Sequence, residues 1–427
     1  MHTLTIPLFE AERAARSLLR GQPHVDRALT VISRTKDTLA AFSAGEAGTD
    51  GPGLLVRLLP LAPGGGVEAL LPTLAAEIQA VVRLGLDGNT TGRARAWLRG
   101  SSGDWNPNVL LRLPGPGMPN IFPPDCAPAP LTTEMQERWS RTLAALGMGA
   151  LQTLQTTTVG CVGLGKLGSA LVRYLAGLPI ERLVLVDPDK VQPHNTGEGG
   201  AFGETDTGRH KVQVLQDQLA LWRPEIEVEA WPLSVTQAAA LHALSSCDVL
   251  FSMSDDPGAR LAPAAVAVCH HIPLIDIGTT VHLRPVQGES MGADIRLVIP
   301  SHRRGCLLCQ GSVHNEDAGR RILASPDFEV EFTADRDWRS ERRGSLNSLN
   351  LLAVGAATRL WEMFLSGSCR ESTWWHLSLG DSGTLRTESV VPTPTPTPLC
   401  ACSLAGKGKT GLSLFGGILR RRAELLL

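Results

Sequence analysis

The sequence predicts an α/β protein whose centre is a doubly wound, mostly parallel sheet with an antiparallel extension, preceded by a smaller N-terminal α+β domain. A run of β-forming residues, 157–162, enters a glycine-rich turn and continues with helical apolar spacing. Apolar strands and helical segments then alternate up to Gly278, which implies parallel pairing. From Thr279 the pattern becomes hairpin-like, so the parallel sheet of a Rossmann-like fold is expected to gain antiparallel strands.

The chain has 427 residues, which is more than one average domain. We expect an accessory α+β domain over 1–130, a central nucleotide-binding domain over 131–391, and a spacer with a C-terminal tail over 392–427. A proline-rich segment, 114–130, predicts the linker between the first two domains. The alternating Pro/Thr run Pro392–Pro398 predicts an extended polyproline spacer.

Apolar spacing predicts the individual elements. In the accessory domain, helices are expected at Pro7–Leu19 and Val67–Val82, and strands at Gly53–Pro60, Arg93–Leu98 and Val109–Leu113. The central domain should begin with a helix capped by Thr132. After the glycine-rich turn, helices are expected at Leu167–Leu178, Arg209–Trp222, Val235–Leu244, Arg260–His270 and Leu346–Phe364, and strands at Arg182–Asp187, Ile226–Ala230, Asp248–Ser252 and Pro273–Gly278. The hairpin should span Val281–Val286 and Ala293–Ile299, with a long polar loop at Gly311–Gly344.

Composition excludes several classes of function. The formal net charge is −2 and no long basic run occurs, so nucleic acid is not an expected partner. No apolar run reaches the roughly 18 residues of a membrane span, and the first residues lack the pattern of a signal peptide. Nine cysteines without an export signal indicate reduced thiols or metal ligands. We therefore expect a cytoplasmic protein that does not enter a membrane.

The glycine-rich turn is the first candidate site. Gly163 permits a tight turn, Gly165 lets the backbone approach a phosphate, and Gly168 lets the helix pack on the strand. Free N–H groups at the helix start attract an anion. Asp187 ends the next strand, about 20 residues on, where a carboxylate would hold ribose hydroxyls. These residues predict a nucleotide site.

Six segments in order strengthen this hypothesis. They are Arg138–Arg141, the three glycines, Asp187 to Asn195 with Asp189 between them, Asp206–Lys211, Asp255–Arg260, and the pair Cys306 and Cys309. Together they resemble motifs of the ubiquitin-activating-enzyme-like adenylyltransferases, the ThiF/MoeB family, over 132–391. The resemblance implies a doubly wound fold, ATP and Mg²⁺ as cofactors, and a homodimer. It also implies a partner, either a ubiquitin-like or a sulfur-carrier protein.

The resemblance implies roles for individual residues. Lys211 would place its charge on the phosphates, and Asp255 would bind Mg²⁺ beside phosphate oxygens. Asp189, Asn195 and Arg260 would belong to the nucleotide site, with Asp189 holding a helix or loop in place. Arg141 would reach across the dimer to the phosphates of the partner subunit.

One position departs from the family. Three residues after Asn195 the family carries a phosphate-binding arginine, whereas this chain has Glu198 in a glycine-rich segment. A carboxylate beside a triphosphate is unfavourable unless a cation intervenes. Either Arg209 or another basic group compensates, or catalysis is weakened.

Four cysteines are candidate metal ligands. The spacing of Cys306 and Cys309 suits thiolate binding to Zn²⁺, which needs two more ligands. Cys400 and Cys402 lie near the place of the family's second pair, with one residue fewer between them. The resemblance thus implies a closed Cys₄ zinc site that joins the tail to the body of the protein.

The resulting hypothesis is ATP-dependent adenylation of the C-terminal carboxylate of a small ubiquitin-like or sulfur-carrier protein. A non-catalytic binding module that recognises a peptide or modifier tail is one alternative, which Glu198 favours. An NAD-dependent dehydrogenase is another, which the glycine turn and Asp187 also permit. A third is adenylation of a tRNA or peptide carboxylate. In the N-terminal domain, the fragments Asp26–Ala28, Leu54–Arg57 and Gly92–Arg93 faintly resemble a degenerate JAB-like domain, and the His-x-His and acidic zinc motif of that family is absent here.

Overall fold

The fold is described from a computed structural model of the whole chain. The described residues are 2–5, 31–34, 39–42, 56–60, 80–84, 95–99, 102–118, 120–122, 128–197, 200–286, 289–300, 306–311, 346–380, 383–393, 400–405 and 411–412.

The described N-terminal residues form two sheets. Their strands are β1 (His2–Thr5), β2 (Val31–Arg34), β3 (Leu39–Phe42), β4 (Val56–Pro60), β5 (Ala80–Leu84), β6 (Arg95–Arg99), β7 (Trp105–Asn106), β8 (Val109–Arg112) and β9 (Asn120–Ile121). One sheet has the order β3-β2-β1-β8-β9 and the other β4-β5-β6-β7. The strands predicted around 53–60, 93–98 and 109–113 are therefore present, within two or three residues of their predicted bounds.

The end of the predicted helix Val67–Val82 is wrong. Residues 80–82 belong to β5, which pairs in parallel with β4. Val81 and Val82 are β-branched, and pairing with a neighbouring strand outweighs their helical spacing. The rest of that predicted helix, and the one predicted at Pro7–Leu19, lie outside the described residues.

Part of the proline-rich segment contacts the central domain. Leu113 and Met118 are buried, and Met118 belongs to the core of the central domain. The N–H of Gly117 donates to the carbonyl of Phe364 at 2.7 Å. Arg112 forms an ion pair with Asp248 at 2.9 Å. Residues 112–118 are thus packed against the central domain, although the composition of 114–130 predicts a linker. The predicted domain boundaries remain predictions.

Helices and parallel strands alternate in the central domain. The helices are α1 (Thr133–Arg138), α2 (Ser140–Leu146), α3 (Met148–Leu154), α4 (Lys166–Ala176), α5 (Lys211–Trp222), α6 (Ala238–Leu244), α7 (Pro257–His270) and α8 (Asn347–Leu365). The strands are β10 (Thr158–Val162), β11 (Arg182–Val186), β12 (Glu227–Trp231), β13 (Val249–Ser252), β14 (Leu274–Val286), β15 (Glu289–Val298), β16 (Thr373–Gly380) and β17 (Leu385–Val390). Short 3₁₀ helices lie at Pro193–Asn195, Glu204–Asp206 and Cys402–Leu404.

Within the described chain, these strands form one sheet in the order β12-β11-β10-β13-β14-β15-β16-β17. Strands β10 to β14 pair in parallel, and β14 to β17 pair in antiparallel fashion. The chain reverses its direction along the sheet between β12 and β13, which places β10 at the centre of the parallel half. The predicted fold class is confirmed: the sheet is Rossmann-like and mostly parallel where the β–α alternation predicts it.

Apolar side chains cover both faces of the sheet. One core joins the sheet to α4, α5 and α8, with Phe251 and Trp361 in edge-to-face contact at 5.6 Å between ring centroids. A second core joins the other face to α6 and α7. The predicted helix cap and the helical spacing of apolar residues account for most of the observed helix bounds. Helix α7 begins at Pro257, three residues before the predicted start, because the carboxylate of Asp256 caps it and accepts hydrogen bonds from the backbone N–H groups of Gly258 and Ala259.

The antiparallel half is larger than predicted. β14 is a single strand that continues the predicted strand Pro273–Gly278 into the predicted hairpin. β16 and β17 are not predicted by the sequence analysis, and they add two strands to the edge. None of the helices in the described ranges is long and apolar enough to span a bilayer.

Candidate nucleotide site and cysteine cluster

The glycine-rich turn connects β10 to α4. Gly163 has φ +84°, and a Cβ added there would lie 2.9 Å from the backbone nitrogen of Ser254. A Cβ added at Gly168 would lie 2.0 Å from the carbonyl oxygen of Gly163. At Gly165 an added Cβ meets nothing within 4 Å. Packing therefore requires the first and third glycines, while the second borders open space at the helix start.

Asp187 braces this turn from the end of β11. Its carboxylate is buried and accepts hydrogen bonds from the backbone N–H of Leu164, in the turn, and of Asp189 at 2.8 Å. Burial raises the pKa of Asp187 from its ordinary value, against the opposing effect of Lys211. Both oxygens already accept one protein hydrogen bond each. The contact of Asp187 with a ribose remains a prediction.

Lys211 meets Asp189 at the first residue of α5. Its Nζ donates to the Asp189 carboxylate at 2.8 Å, and its backbone N–H donates to the Asp189 carbonyl at 3.0 Å. A short bridge between Lys190 and His210 closes the base of the intervening segment. Burial disfavours the Lys211 charge, but Asp187, Asp189 and Asp255 together raise the pKa of Lys211 above its usual range. The ammonium group is therefore kept charged at the carboxyl edge of the sheet.

Asp255 and Asp256 follow β13 and have different surroundings. Asp256 is buried, and its Oδ1 accepts from Gly258 N at 2.7 Å and Ala259 N at 3.0 Å. Asp255 is exposed, and its charge acts on Lys211. Asp256 is thus a helix cap, whereas Asp255 faces outward at the edge that also carries Lys211.

Arg260 is held by a buried carboxylate. Its Nε donates to Oδ1 of Asp276 at 3.0 Å, and its Nη2 also contacts Oδ2 of the same residue. Asp276 is fully buried on β14, where Arg296 of β15 lies 3.8 Å away. Burial disfavours the Arg260 charge, but Asp276 outweighs this and raises the pKa of Arg260. The structure therefore places Arg260 in an ion pair with Asp276, and its contact with a nucleotide remains a prediction.

Two polar residues beside the turn were not singled out by the sequence analysis. Lys166 is the first residue of α4, and His194 lies in the 3₁₀ helix Pro193–Asn195. Burial lowers the pKa of His194, and the charges of Lys211 and Lys166 lower it further, while Asp189 raises it. Both residues stand inside motifs that the sequence analysis used, but next to the positions to which the family motif gives a role.

Two predicted nucleotide residues remain, Asn195 and Arg141. The Asn195 side chain accepts from Gln192 N at 2.9 Å and closes the 3₁₀ helix. Arg141 is exposed on α2, and its predicted role requires a second subunit. Its neighbour Trp139 is buried and donates from Nε1 to the Gly177 carbonyl at 2.9 Å.

The departure at Glu198 lies outside the described residues, as does the predicted loop from 312 onward. Arg209, one of the cations considered to compensate for Glu198, pairs with Asp206 at 3.3 Å and also with Asp217. Those carboxylates hold the Arg209 side chain along the start of α5.

Four cysteines come together although they are far apart in sequence. The Sγ atoms of Cys306, Cys309, Cys400 and Cys402 all lie within 4.8 Å of one another. The distances are 3.6 Å for 306–309, 3.9 Å for 306–400, 3.1 Å for 309–400 and 3.7 Å for 309–402. Four thiolates at about 2.3 Å from a tetrahedral zinc ion would lie about 3.8 Å apart. The arrangement therefore fits a Cys₄ metal site.

The cluster connects the tail to the body of the protein. The 3₁₀ helix Cys402–Leu404 packs against α7, and the apolar surroundings include Leu261, Ala265 and Leu308. The hydrogen bond from Cys306 lowers the pKa of Cys309 to about 7. Three of the four cysteines are buried and Cys402 is partly exposed. A closed set of four sulfur ligands is typical of a structural metal site and leaves no open position for catalysis.

Residues 139–331 match the ThiF family. The sulfur carrier protein ThiS adenylyltransferase of Escherichia coli strain K12 is 29% identical over 174 residues, which are 40% of this chain and 66% of that protein. The adenylyltransferase and sulfurtransferase MOCS3 of Mus musculus is 31% identical over 171 residues, which are 39% of this chain and 37% of that protein.

Among solved structures, E. coli MccB with ATP aligns with a TM-score of 0.47 at 18% identity, over 65% of this chain and 76% of that one. In the two sequence relatives named above, the matched segment covers only 66% and 37% of the relative's own length. The predicted resemblance to ThiF/MoeB-type adenylyltransferases is confirmed for the segment that carries the glycine turn, Lys211 and Asp255. The JAB-like resemblance of the N-terminal residues stays a prediction.

Proposed function

We propose that this chain, which carries a ThiF-family domain over residues 139–331, adenylates the C-terminal carboxylate of a small ubiquitin-like or sulfur-carrier protein. The carboxylate oxygen attacks the α-phosphorus of ATP, the bond from this phosphorus to the β-phosphate bridging oxygen breaks, and pyrophosphate leaves. The product is an acyl-adenylate. The relatives are named as adenylyltransferases of sulfur carriers, which supports this substrate class.

The observation that carries the proposal is the cluster at the carboxyl edge of the sheet. Lys211 is buried, 2.8 Å from Asp189, and lies in the field of Asp187 and Asp255 beside the glycine turn. An anionic nucleophile that attacks an anionic phosphate needs fixed positive charge and aligned N–H donors. Lys211 and the N–H groups of the turn supply both, and ligands bind at this edge in open α/β sheets. A dehydrogenase requires no such lysine.

The donor set beside this edge also fits Mg²⁺. Asp255 offers an exposed carboxylate there, and Mg²⁺ is commonly held by one or two carboxylates together with substrate phosphates. When bound, the ion would neutralise phosphate charge. Asp255 would hold the ion at the edge of the sheet that also carries Lys211.

Pyrophosphate exchange tests the proposal. Lys211→Met and Asp255→Asn should each reduce ATP–pyrophosphate exchange with the cognate carrier protein by at least about 100-fold, because each removes charge compensation from the transition state. The exposed Lys190→Met is the matched control and should keep full exchange. Circular dichroism would check that each variant is folded. Wild-type protein that binds ATP and carrier but releases no pyrophosphate would instead favour the non-catalytic binding module.

Zinc is proposed for the cysteine cluster. Freshly purified protein should hold about one zinc ion per chain by elemental analysis, and Cys309→Ser with Cys400→Ser should hold none. Cys369→Ser, which changes a buried thiol outside the cluster, is the control and should retain the metal. Absence of zinc together with four reactive thiols in the wild-type protein would contradict the assignment.

We also propose that the active species is a homodimer in the cytoplasm, in which Arg141 reaches the phosphates of the partner subunit. Its exposure on α2 is compatible with such a contact. Light scattering under assay conditions would decide, since a fully active monomer would contradict this arrangement.

A further inference from the structure

We propose that Lys166 is a second phosphate-binding cation of the nucleotide site and acts together with Lys211. This inference rests on the proposed function and adds a specific contact to it.

Lys166 is placed by the turn itself. It is the first residue of α4 and follows Gly165, where an added Cβ would meet nothing within 4 Å. The backbone before it is fixed, because Asp187 accepts a hydrogen bond from Leu164 and Gly163 packs against the end of β13. Lys166 is therefore carried on a rigid segment that borders open space, where a phosphate would meet the N–H groups of the helix start.

Lys166 and Lys211 share a neighbour. His194 is under the electrostatic influence of both ammonium groups and of Asp189, which accepts from Lys211 at 2.8 Å. Hydrogen bonds also connect the two positions, because Asp187 accepts from Leu164, two residues before Lys166, and from Asp189, which in turn accepts from Lys211. The starts of α4 and α5 therefore meet at one carboxyl edge of the sheet, where a single ligand can contact both lysines. The glycine turn lies at the first of these helix starts.

The charges at this edge show why a second cation matters. Three carboxylates, Asp187, Asp189 and Asp255, act on Lys211 before any nucleotide arrives. Arg209 is engaged by Asp206 at 3.3 Å, and Arg260 by Asp276 at 3.0 Å. A triphosphate adds several further negative charges. A lysine inside the turn would offset part of this charge at the shortest distance from the phosphates.

Binding measurements can isolate this role. Isothermal titration calorimetry would compare ATP and adenosine for the wild type, Lys166→Met, Lys166→Arg and the control Lys190→Met. Lys166→Met should weaken ATP binding about tenfold and leave adenosine unchanged, because a charged contact to phosphate is lost. Lys166→Arg should recover ATP binding to within about threefold, since the positive charge is kept. Lys190→Met should bind both ligands as the wild type does.

A second readout is independent of nucleotide. The pKa of His194, followed by NMR in the free protein, should rise in Lys166→Met and not in Lys166→Arg, because one of two nearby cations is removed. An unchanged pKa of His194 in Lys166→Met would place the lysine away from Lys211 and overturn the inference.

The outcomes separate the two proposals. A wild-type protein that binds no ATP would overturn the proposed function and, with it, this inference. If the wild type binds ATP and Lys166→Met binds it equally well, only the role of Lys166 is overturned. Loss of adenosine as well as ATP in Lys166→Met would show that the lysine supports the fold of the turn, which also overturns a phosphate contact.

Discussion

Two buried aspartates hold the central strand β10 at its opposite ends. Asp248, just before β13, accepts from the backbone N–H of Thr158 at 2.9 Å, where β10 begins. Asp187, just after β11, accepts from the N–H of Leu164, where β10 has ended. Each carboxylate thus pins one end of the same strand to its neighbour, and the two interactions are chemically the same.

The neighbours of these carboxylates differ. The second oxygen of Asp248 pairs with Arg112 from the N-terminal part of the chain, so this edge is closed by protein. Asp187 is accompanied by Lys211, by the exposed Asp255 and by a turn that borders open space. A buried aspartate at a strand end therefore does not by itself mark a ligand site. A ligand site is indicated by the open space beside the turn and by the excess of carboxylates around Lys211.

The closed edge should show the largest loss of stability. Arg112→Met leaves Asp248 buried without its cation, and breaking such a pair costs about 3–5 kcal/mol of unfolding free energy. The side chains are 18% and 5% exposed, so solvent screens the pair little. Urea unfolding would measure the loss. Adding Asp248→Asn to Arg112→Met should recover part of it, because the unpaired charge is removed.

A cost below about 1 kcal/mol for Arg112→Met would mean that the N-terminal segment is not held through this contact. Loss of pyrophosphate exchange without loss of stability would instead make this edge functional, contrary to the comparison.

The open edge contains its own contrast, between Gly168 and Gly165. Gly168→Ala should cost about 1–3 kcal/mol, because its Cβ would overlap the carbonyl oxygen of Gly163 at 2.0 Å. Gly165→Ala should cost about 1 kcal/mol or less, since its Cβ meets no protein atom and only the helix cap is weakened. Thermal unfolding checks the stabilities, and calorimetry checks ATP. We expect Gly165→Ala to weaken ATP binding although it is the more stable variant. The reverse order of stabilities would contradict the packing described for the turn.

The parallel half of the fold follows closely from the sequence, because strands buried on both faces are apolar runs and the helices between them keep their period. β17 shows the limit. All six of its residues are exposed, so the sequence of this strand shows no alternation of apolar and polar residues. β16 has two buried positions, Thr373 and Leu377, and both of its tryptophans are partly exposed. Such edge strands are defined by pairing with a neighbour, which a local pattern does not reveal.

Motif spacing singles out Asp187, which follows β11, and Lys211, which begins α5, and the structure brings the two to the same edge of the sheet. Their contacts with a nucleotide stay predictions. Among contacts between distant segments, the cysteine cluster was implied by the family resemblance, whereas the ion pairs were not predicted. Arg260 is assigned to the nucleotide by its motif, yet it reaches Asp276, which stands beside Ser252 in the register of two parallel strands. Arg112 and Asp248 are 136 positions apart, the difference of their numbers, and nothing in the spacing announces their pair. Lys166 lies between the second and third glycines of the turn, but only the packing of the turn shows which of its residues border open space.

The smallest expected effect concerns the charge of Asp187 and depends on pH. Burial raises its pKa, so the folded protein keeps this proton at pH values where the unfolded chain, with a pKa of about 3.9, has released it. Below about pH 3.9 both states are protonated and the stability associated with the neutral carboxyl is fully present. As the pH rises through the folded pKa, that stability is lost. Asp187→Asn removes the ionisation while keeping one acceptor oxygen for the turn.

The stability of Asp187→Asn relative to the wild type should therefore increase as the pH rises from about 4 through the folded pKa of Asp187, because only the wild type loses stability over this range. The lost hydrogen bond to Leu164 or Asp189 adds a constant offset and does not change this slope. Urea titrations at several pH values, with both proteins in the same buffers, would measure it. His194 titrates in both proteins, so its contribution to the pH dependence cancels, to first order, in the difference between their unfolding free energies. A difference that declines with rising pH would mean that Lys211 and the backbone N–H groups stabilise the ionised carboxylate more than burial opposes it, and the open edge would then resemble the closed one.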